Sequence, residues 1–136
     1  MDDWEECLIE NAVVTKSIDN QKVKSLIKVS YGRIEYLNKQ ELLESDINYI
    51  FEGYYTSILE LLHSITIYKG FKVKNHICLG YYLRDVLNES QLFNLFDDLR
   101  YKRNSLVYYG KGMDFDIAKD AIKKSKELLN KLDTLI

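Results

Sequence analysis

The sequence predicts an all-α fold: an antiparallel, up-and-down bundle of four to six helices. Three observations carry that expectation. The chain of 136 residues has no proline and only six glycines, so nothing obligatory interrupts a helix. Apolar residues recur at spacings of three and four along most of its length. The stretches between them are short, with no repeat, low-complexity tract or linker. Residues 1–136 should therefore form one domain, with residues 1–18 as a helical arm.

Each element has its own signal. Asp2 or Asp3 can cap a first short helix carrying Trp4, Leu8 and Val13, and Trp4 should fold this arm onto the body. Asp19 or Asn20 starts a helix that ends near Asn38, with Val23, Leu26, Ile27, Ser30, Ile34 and Leu37 on one face. Ser45 or Asp46 starts the next. Its wide stripe of Ile47, Ile50, Phe51, Tyr54, Ile58, Leu61, Leu62 and Ile65 marks it as the most buried helix, and Gly70 ends it. Gly53 lies inside this helix, where a close helix crossing would account for it. The run Ile65-Thr66-Ile67-Tyr68 has strand character, but the stripe upstream of it outweighs that.

Asn75 caps a shorter helix with Leu79, Tyr82 or Leu83, and Val86 inward. After Asn88-Glu89-Ser90 a long helix runs from Ser90 to Tyr109. Gly110-Lys111-Gly112 is a turn. Asp114 then starts the last helix, which places Ala118, Ala121, Ile122, Ser125, Leu128, Leu129, Leu132 and Leu135 inward.

Composition limits the function. The net charge is −2, which is not the profile of a protein that coats nucleic acid non-specifically. Any contact with RNA must come from a local patch. The acidic start, MDDWEE, is no secretory signal. The most apolar candidate span, Ile58 to Tyr68, contains Glu60 and His63, so no membrane segment is expected and the protein should be cytoplasmic. Cys7 and Cys78 are far apart and read as two buried, reduced thiols. No Gly-rich phosphate loop and no metal-ligand spacing is legible, so no cofactor or metal is expected. His63 reads as a satisfied structural histidine. His76, in the first turn of its helix, reads as a capping or surface-packing residue.

One segment resists a structural reading. In the helix from Ser90 to Tyr109, an apolar stripe runs through Leu92, Leu95, Phe96 and Leu99 and resumes at Leu106. Between them the stripe reaches Arg103, where a core helix would place Leu or Ile. A guanidinium stays charged, and burying it without a partner is costly. Arg100, Asn104 and Tyr108 follow one another at spacings of four on the adjoining face. Arg100, Lys102, Arg103 and Lys111 form a local basic patch, with Asp97 and Asp98 just before it. The structural alternative is a surface salt-bridge network, Arg100 or Arg103 pairing with Asp97 or Asp98. The functional reading is an anion site for phosphate, which suits the planar donor fork of arginine.

The helical order, with Arg103-Asn104-x-x-x-Tyr108, then Tyr109-Gly110 and a final amphipathic helix, resembles the HEPN domain family over roughly Asn20 to Leu135. These are small all-α proteins, often homodimeric. Their hallmark is an Arg, commonly followed by a polar residue such as Asn, with four to six residues between the Arg and a His. The resemblance implies that Arg103 takes the place of the motif arginine and Asn104 the adjacent polar position. Tyr108 takes the first slot for the histidine, and Tyr109 and Gly110 the other two. No histidine falls in any of them.

Active HEPN proteins look like metal-independent endoribonucleases. A 2′-hydroxyl attacks its own phosphate, the histidine moves protons, and the arginine steadies the developing charge. A phenol with a reference pKa of about 10, against about 6.5 for imidazole, is a poor substitute at pH 7. The resemblance thus implies Arg103, Asn104 and Tyr108 as the catalytic set. Arg100, Lys102, Tyr109 and Lys111 would assist at phosphate or RNA, and binding should survive the substitution better than cleavage. It also implies a homodimer whose motif helices face each other across a two-fold axis. In some members the partner is a small nucleotidyltransferase, in a toxin–antitoxin pair, with a tyrosine such as Tyr108 or Tyr109 as the modified residue. The alternative is a non-catalytic helical dimerisation or protein-interaction module.

Overall fold

The computed structural model describes residues Met1–Ile136 and contains six α-helices and one two-stranded sheet. In chain order these are α1 (Trp4–Ile9), β1 (Val13–Thr15), α2 (Asn20–Asn38), α3 (Ile47–Tyr68), β2 (Phe71–Val73), α4 (His76–Tyr81), α5 (Ser90–Tyr109) and α6 (Phe115–Asp133). The chain is mostly helical, as its spacing predicts. The sheet is a departure. Val13 was expected on the first helix but pairs with Val73 in an antiparallel β1–β2 ladder. The helical arm is therefore a helix followed by a strand. Asn11, at a φ of 60°, makes the turn between them.

The caps follow the side-chain chemistry. The Asp3 carboxylate accepts from Glu6 N–H at 2.8 Å and that of Asp19 from Lys22 N–H at 3.0 Å. Asp46 and Asp114 occupy the N-cap positions of α3 and α6 without a side-chain hydrogen bond. Gly70 follows α3 at a φ of 87°.

α3 is the central element, and all eight residues of its predicted stripe are buried. α2 crosses it closely: a methyl group on Gly53 would lie 3.0 Å from Leu37. Polar groups also bind the pair. Ser30 donates to the Ser57 carbonyl at 2.9 Å, and Arg33 forms an ion pair with Glu60. α6 packs its apolar face on α3 and α5.

After α4 the chain widens into a π-helical turn over Tyr82–Val86, where Leu87 N–H reaches back five residues to the Tyr82 carbonyl at 3.1 Å. The extra residue changes which side chains point inward. Tyr82 and Leu83 are both buried, whereas Val86, expected inward, is 41% exposed.

The cysteines overturn another expectation. Cys7 of α1 and Cys78 of α4 are joined in a buried disulfide across 71 positions of sequence. The arm makes this pairing by docking on α4 and the turn after it. Trp4 packs edge-on against Phe71 and Tyr82, and Trp4 N–H donates to the Asp85 carboxylate at 2.9 Å. That brings the two Cα atoms to 6.2 Å, within the span of a disulfide. No helix is long and apolar enough to cross a membrane.

Candidate phosphate site

The site lies where α5 outruns the core. Leu92, Phe96 and Leu99 are its buried residues. One turn further, Arg103 continues the same stripe and is half-buried. Beyond it the helix is exposed from Val107 until Gly110 ends it in the left-handed conformation, φ 61°. Arg103 therefore stands at the rim of the core.

Its guanidinium carbon lies 5.6 Å from the centre of the Tyr55 ring, within cation–π range. Its Nε is buried and has no hydrogen-bond partner. The neighbouring charges are paired instead. Arg100 donates twice to one Asp97 oxygen, at 2.9 and 3.0 Å, and Lys102 donates to Asp98 at 2.7 Å. The salt-bridge alternative thus accounts for Arg100 and Lys102 and leaves out Arg103.

Tyr55 supplies the floor. It projects from α3, is 1% exposed, and stacks on Phe96 with ring centres 6.0 Å apart. Its hydroxyl lies 3.4 Å from Nδ1 of His76, the first residue of α4. At that length the contact is weak. Two features place His76 here. Asn75 caps α4 by accepting from Ile77 N–H at 3.1 Å. Gly80 lets α4 press on α5, where a methyl group would meet Phe93 and Phe96 at 3.0–3.1 Å.

The electrostatics are consistent with this arrangement. Burial pushes the Tyr55 phenol above its ordinary value, against the pull of Arg103 and Arg100. Burial, then the charges of Arg103 and Arg100, hold His76 below the usual imidazole value. Both groups are neutral at pH 7. His63, deeper along α3, is pushed down to about 4 by burial first, then by His76 and Lys22. The Arg103 guanidinium and the His76 imidazole thus border the same buried Tyr55 ring. Of the two, the guanidinium can hold an anion.

The predicted residues do not all meet there. Successive helical positions lie about 100° apart around the axis, so Lys102 turns away from Arg103. With Tyr101, Ser105 and Lys111 it lines a separate depression of about 390 Å³. Asn104 is half-buried beside Arg103. Tyr108 and Tyr109 are 71% and 80% exposed, and of the two only Tyr108 is near enough to Tyr55 to influence its ionisation. His76, expected to cap or pack at the surface, is half-buried and packs beside Tyr55. No local pattern marks it, because it arrives from another helix. No three His, Cys, Asp or Glu side chains converge as a metal-binding group. Comparison with protein-family models, with curated proteins and with solved structures gives no match.

Proposed function

We propose that this chain is a HEPN-like helical protein, dimeric, that binds RNA or nucleotide phosphate through Arg103. The observation that carries the reading is the buried, unpartnered Nε of Arg103 at the open rim of the core. Leaving such a donor unpaired costs about 1–3 kcal/mol, a cost that a phosphate oxygen arriving on binding would relieve. The exposed Tyr108 offers an O–H donor and an aromatic face for a base. A motif helix that outruns its own core suits a dimer in which two such helices enclose a cleft.

On this reading the protein is a metal-independent endoribonuclease, or the toxin-like partner of a small nucleotidyltransferase that modifies Tyr108 or Tyr109. The decisive experiment measures binding of a 2′-O-methyl RNA oligonucleotide to wild type and Arg103→Ala, and cleavage of unmodified RNA in chelator. The reading requires binding that falls at least tenfold in Arg103→Ala. Equal binding by both proteins would sink it.

One observation favours a second reading. Val107, Tyr108 and Tyr109 are exposed at the end of α5, as an apolar contact surface for another protein would be. A non-catalytic dimerisation or interaction module would show self-association but no Arg103-dependent RNA binding.

A further inference from the structure

A cavity of about 400 Å³ opens at the C-terminal end of α3 and shares no residue with the Arg103 rim. Eight of its ten lining residues are hydrophobic, among them Val23 and Ile27 of α2, Ile65 of α3 and Leu87. The π-helical turn shapes it. That turn sends Val86 out to solvent and leaves Tyr82 and Leu87 in the cavity wall. Turns of this kind are frequent at functional sites. The volume lies within the range of small-molecule sites, about 300–1,000 Å³.

Two buried hydroxyl residues stand in this wall. Ser64 spends its proton on the Leu61 carbonyl at 2.6 Å. Tyr82 is 2% exposed, and burial alone pushes its phenol above the ordinary value, with no hydrogen bond or charge acting on it. The phenol therefore stays a donor at pH 7. Arg103 Nε is the one buried side-chain nitrogen or oxygen that is sealed in without a partner. The Tyr82 hydroxyl, also without one, thus reaches open space, and the space that Tyr82 lines is the cavity. Lys69, the one charged side chain in the wall, is exposed, with its ammonium 5.6 Å from the centre of the Tyr68 ring.

We propose that this cavity binds a small, uncharged, apolar molecule that carries one carbonyl oxygen, and that this oxygen accepts a hydrogen bond from Tyr82. A single O–H donor satisfies a ketone or ester oxygen. A carboxylate in the same place would exchange its water for one neutral donor, which is costly. The hydrocarbon part of the ligand lies against Ile27, Ile65 and Leu87 and leaves water. At about 30 Å³ for a water-sized group, a molecule of about ten non-hydrogen atoms fits. The site is independent of the reading of Arg103.

The test titrates 2-octanone into protein labelled at its Ile, Leu and Val methyl groups and reads the titration by NMR. The methyl signals of Ile27, Ile65 and Leu87 should shift together and saturate, with a Kd below about 1 mM. Toluene, which is apolar but has no acceptor, should move the same signals. Tyr82→Phe should weaken 2-octanone about three- to tenfold, because one hydrogen bond is lost. It should bind toluene within about twofold of wild type, which shows that the cavity is intact. Octanoate, matched in chain length, should bind more weakly than 2-octanone. Three results overturn the assignment. The first is the absence of saturable shifts at these methyl groups. The second is equal 2-octanone affinity in wild type and Tyr82→Phe. The third is tighter binding of octanoate that Lys69→Met abolishes, which would make the ligand an anionic amphiphile.

Discussion

Reduction of the Cys7–Cys78 disulfide should lower the melting temperature by about 15 °C. The bond closes a loop with a sequence separation of 71. In the chain-entropy account, opening a loop of that size returns about 4 kcal/mol of freedom to the unfolded chain. Unfolding entropy of about 2.1 cal/mol/K per residue, over 136 residues, amounts to about 0.29 kcal/mol/K. The quotient gives the shift. The fold should survive, because Trp4 keeps its contacts with Phe71 and Tyr82 and its hydrogen bond to Asp85. The assay is a thermal melt of protein purified without reductant, with and without a phosphine reductant, beside the Cys7→Ala/Cys78→Ala double variant. Thiol titration in denaturant should count no free thiols before reduction and two after. Urea unfolding should show a larger m value once reduced, because the unfolded state expands. Two free thiols in the unreduced protein, or a shift below about 3 °C, would refute the reasoning.

Three further outcomes are expected. Arg103→Met should stabilise the fold by about 1 kcal/mol in urea unfolding, because it removes an unpartnered buried donor from an apolar stripe, and should weaken RNA binding at the same time; a destabilised Arg103→Met would mean that the arginine is structural. His63 should make the protein acid-labile. Its folded pKa of about 4 lies below the unfolded value of 6.5, so as pH falls from about 6.5 to about 4 the unfolded chain takes up a proton that the fold refuses, and about 3 kcal/mol is lost. Urea titrations across that range should show the loss in wild type and a flatter slope in His63→Gln. Gly80→Ala should cost about 1 kcal/mol net in the same assay, because the crowding against Phe93 and Phe96 outweighs the gain in helix propensity; a stabilised variant would show that the α4–α5 contact has room to spare.

Much of the fold can be read locally. The helix from Ser90 to Tyr109 is bounded in the sequence by a brief polar connection and a glycine, and the structure has the same limits. The stripe of α3 is buried residue for residue, because a wide period-3.6 face has one way to leave water. Gly53 signals a close crossing, and Leu37 is what it meets. The position of Arg103 on a core stripe is equally local, since one helix and its periodicity suffice to place it. Val86 was misplaced because a π-turn breaks the 3.6 period on which the reading depends. Val13 was misplaced because a three-residue strand has too short a pattern to announce itself, and its partner Val73 lies sixty positions away.

The error with the largest structural consequence lies in α4. Cys78 sits in no local pattern that gives its role. It acquires that role from Cys7 on α1. A six-residue helix has little intrinsic stability. α4 is held by its Asn75 cap, by the close approach of Gly80 to α5 and by the disulfide to the arm. The covalent tie is thus about half a turn from the imidazole of His76. Reduction should therefore loosen the placement of His76 more than that of Arg103, which α5 holds independently. In reducing conditions amide hydrogen exchange should speed up in α4 while α5 keeps its protection. Hydrogen exchange measured with and without reductant separates the two helices. Equal loss of protection in both would mean that α4 and α5 move as one unit, and loss in neither would mean that packing alone fixes α4.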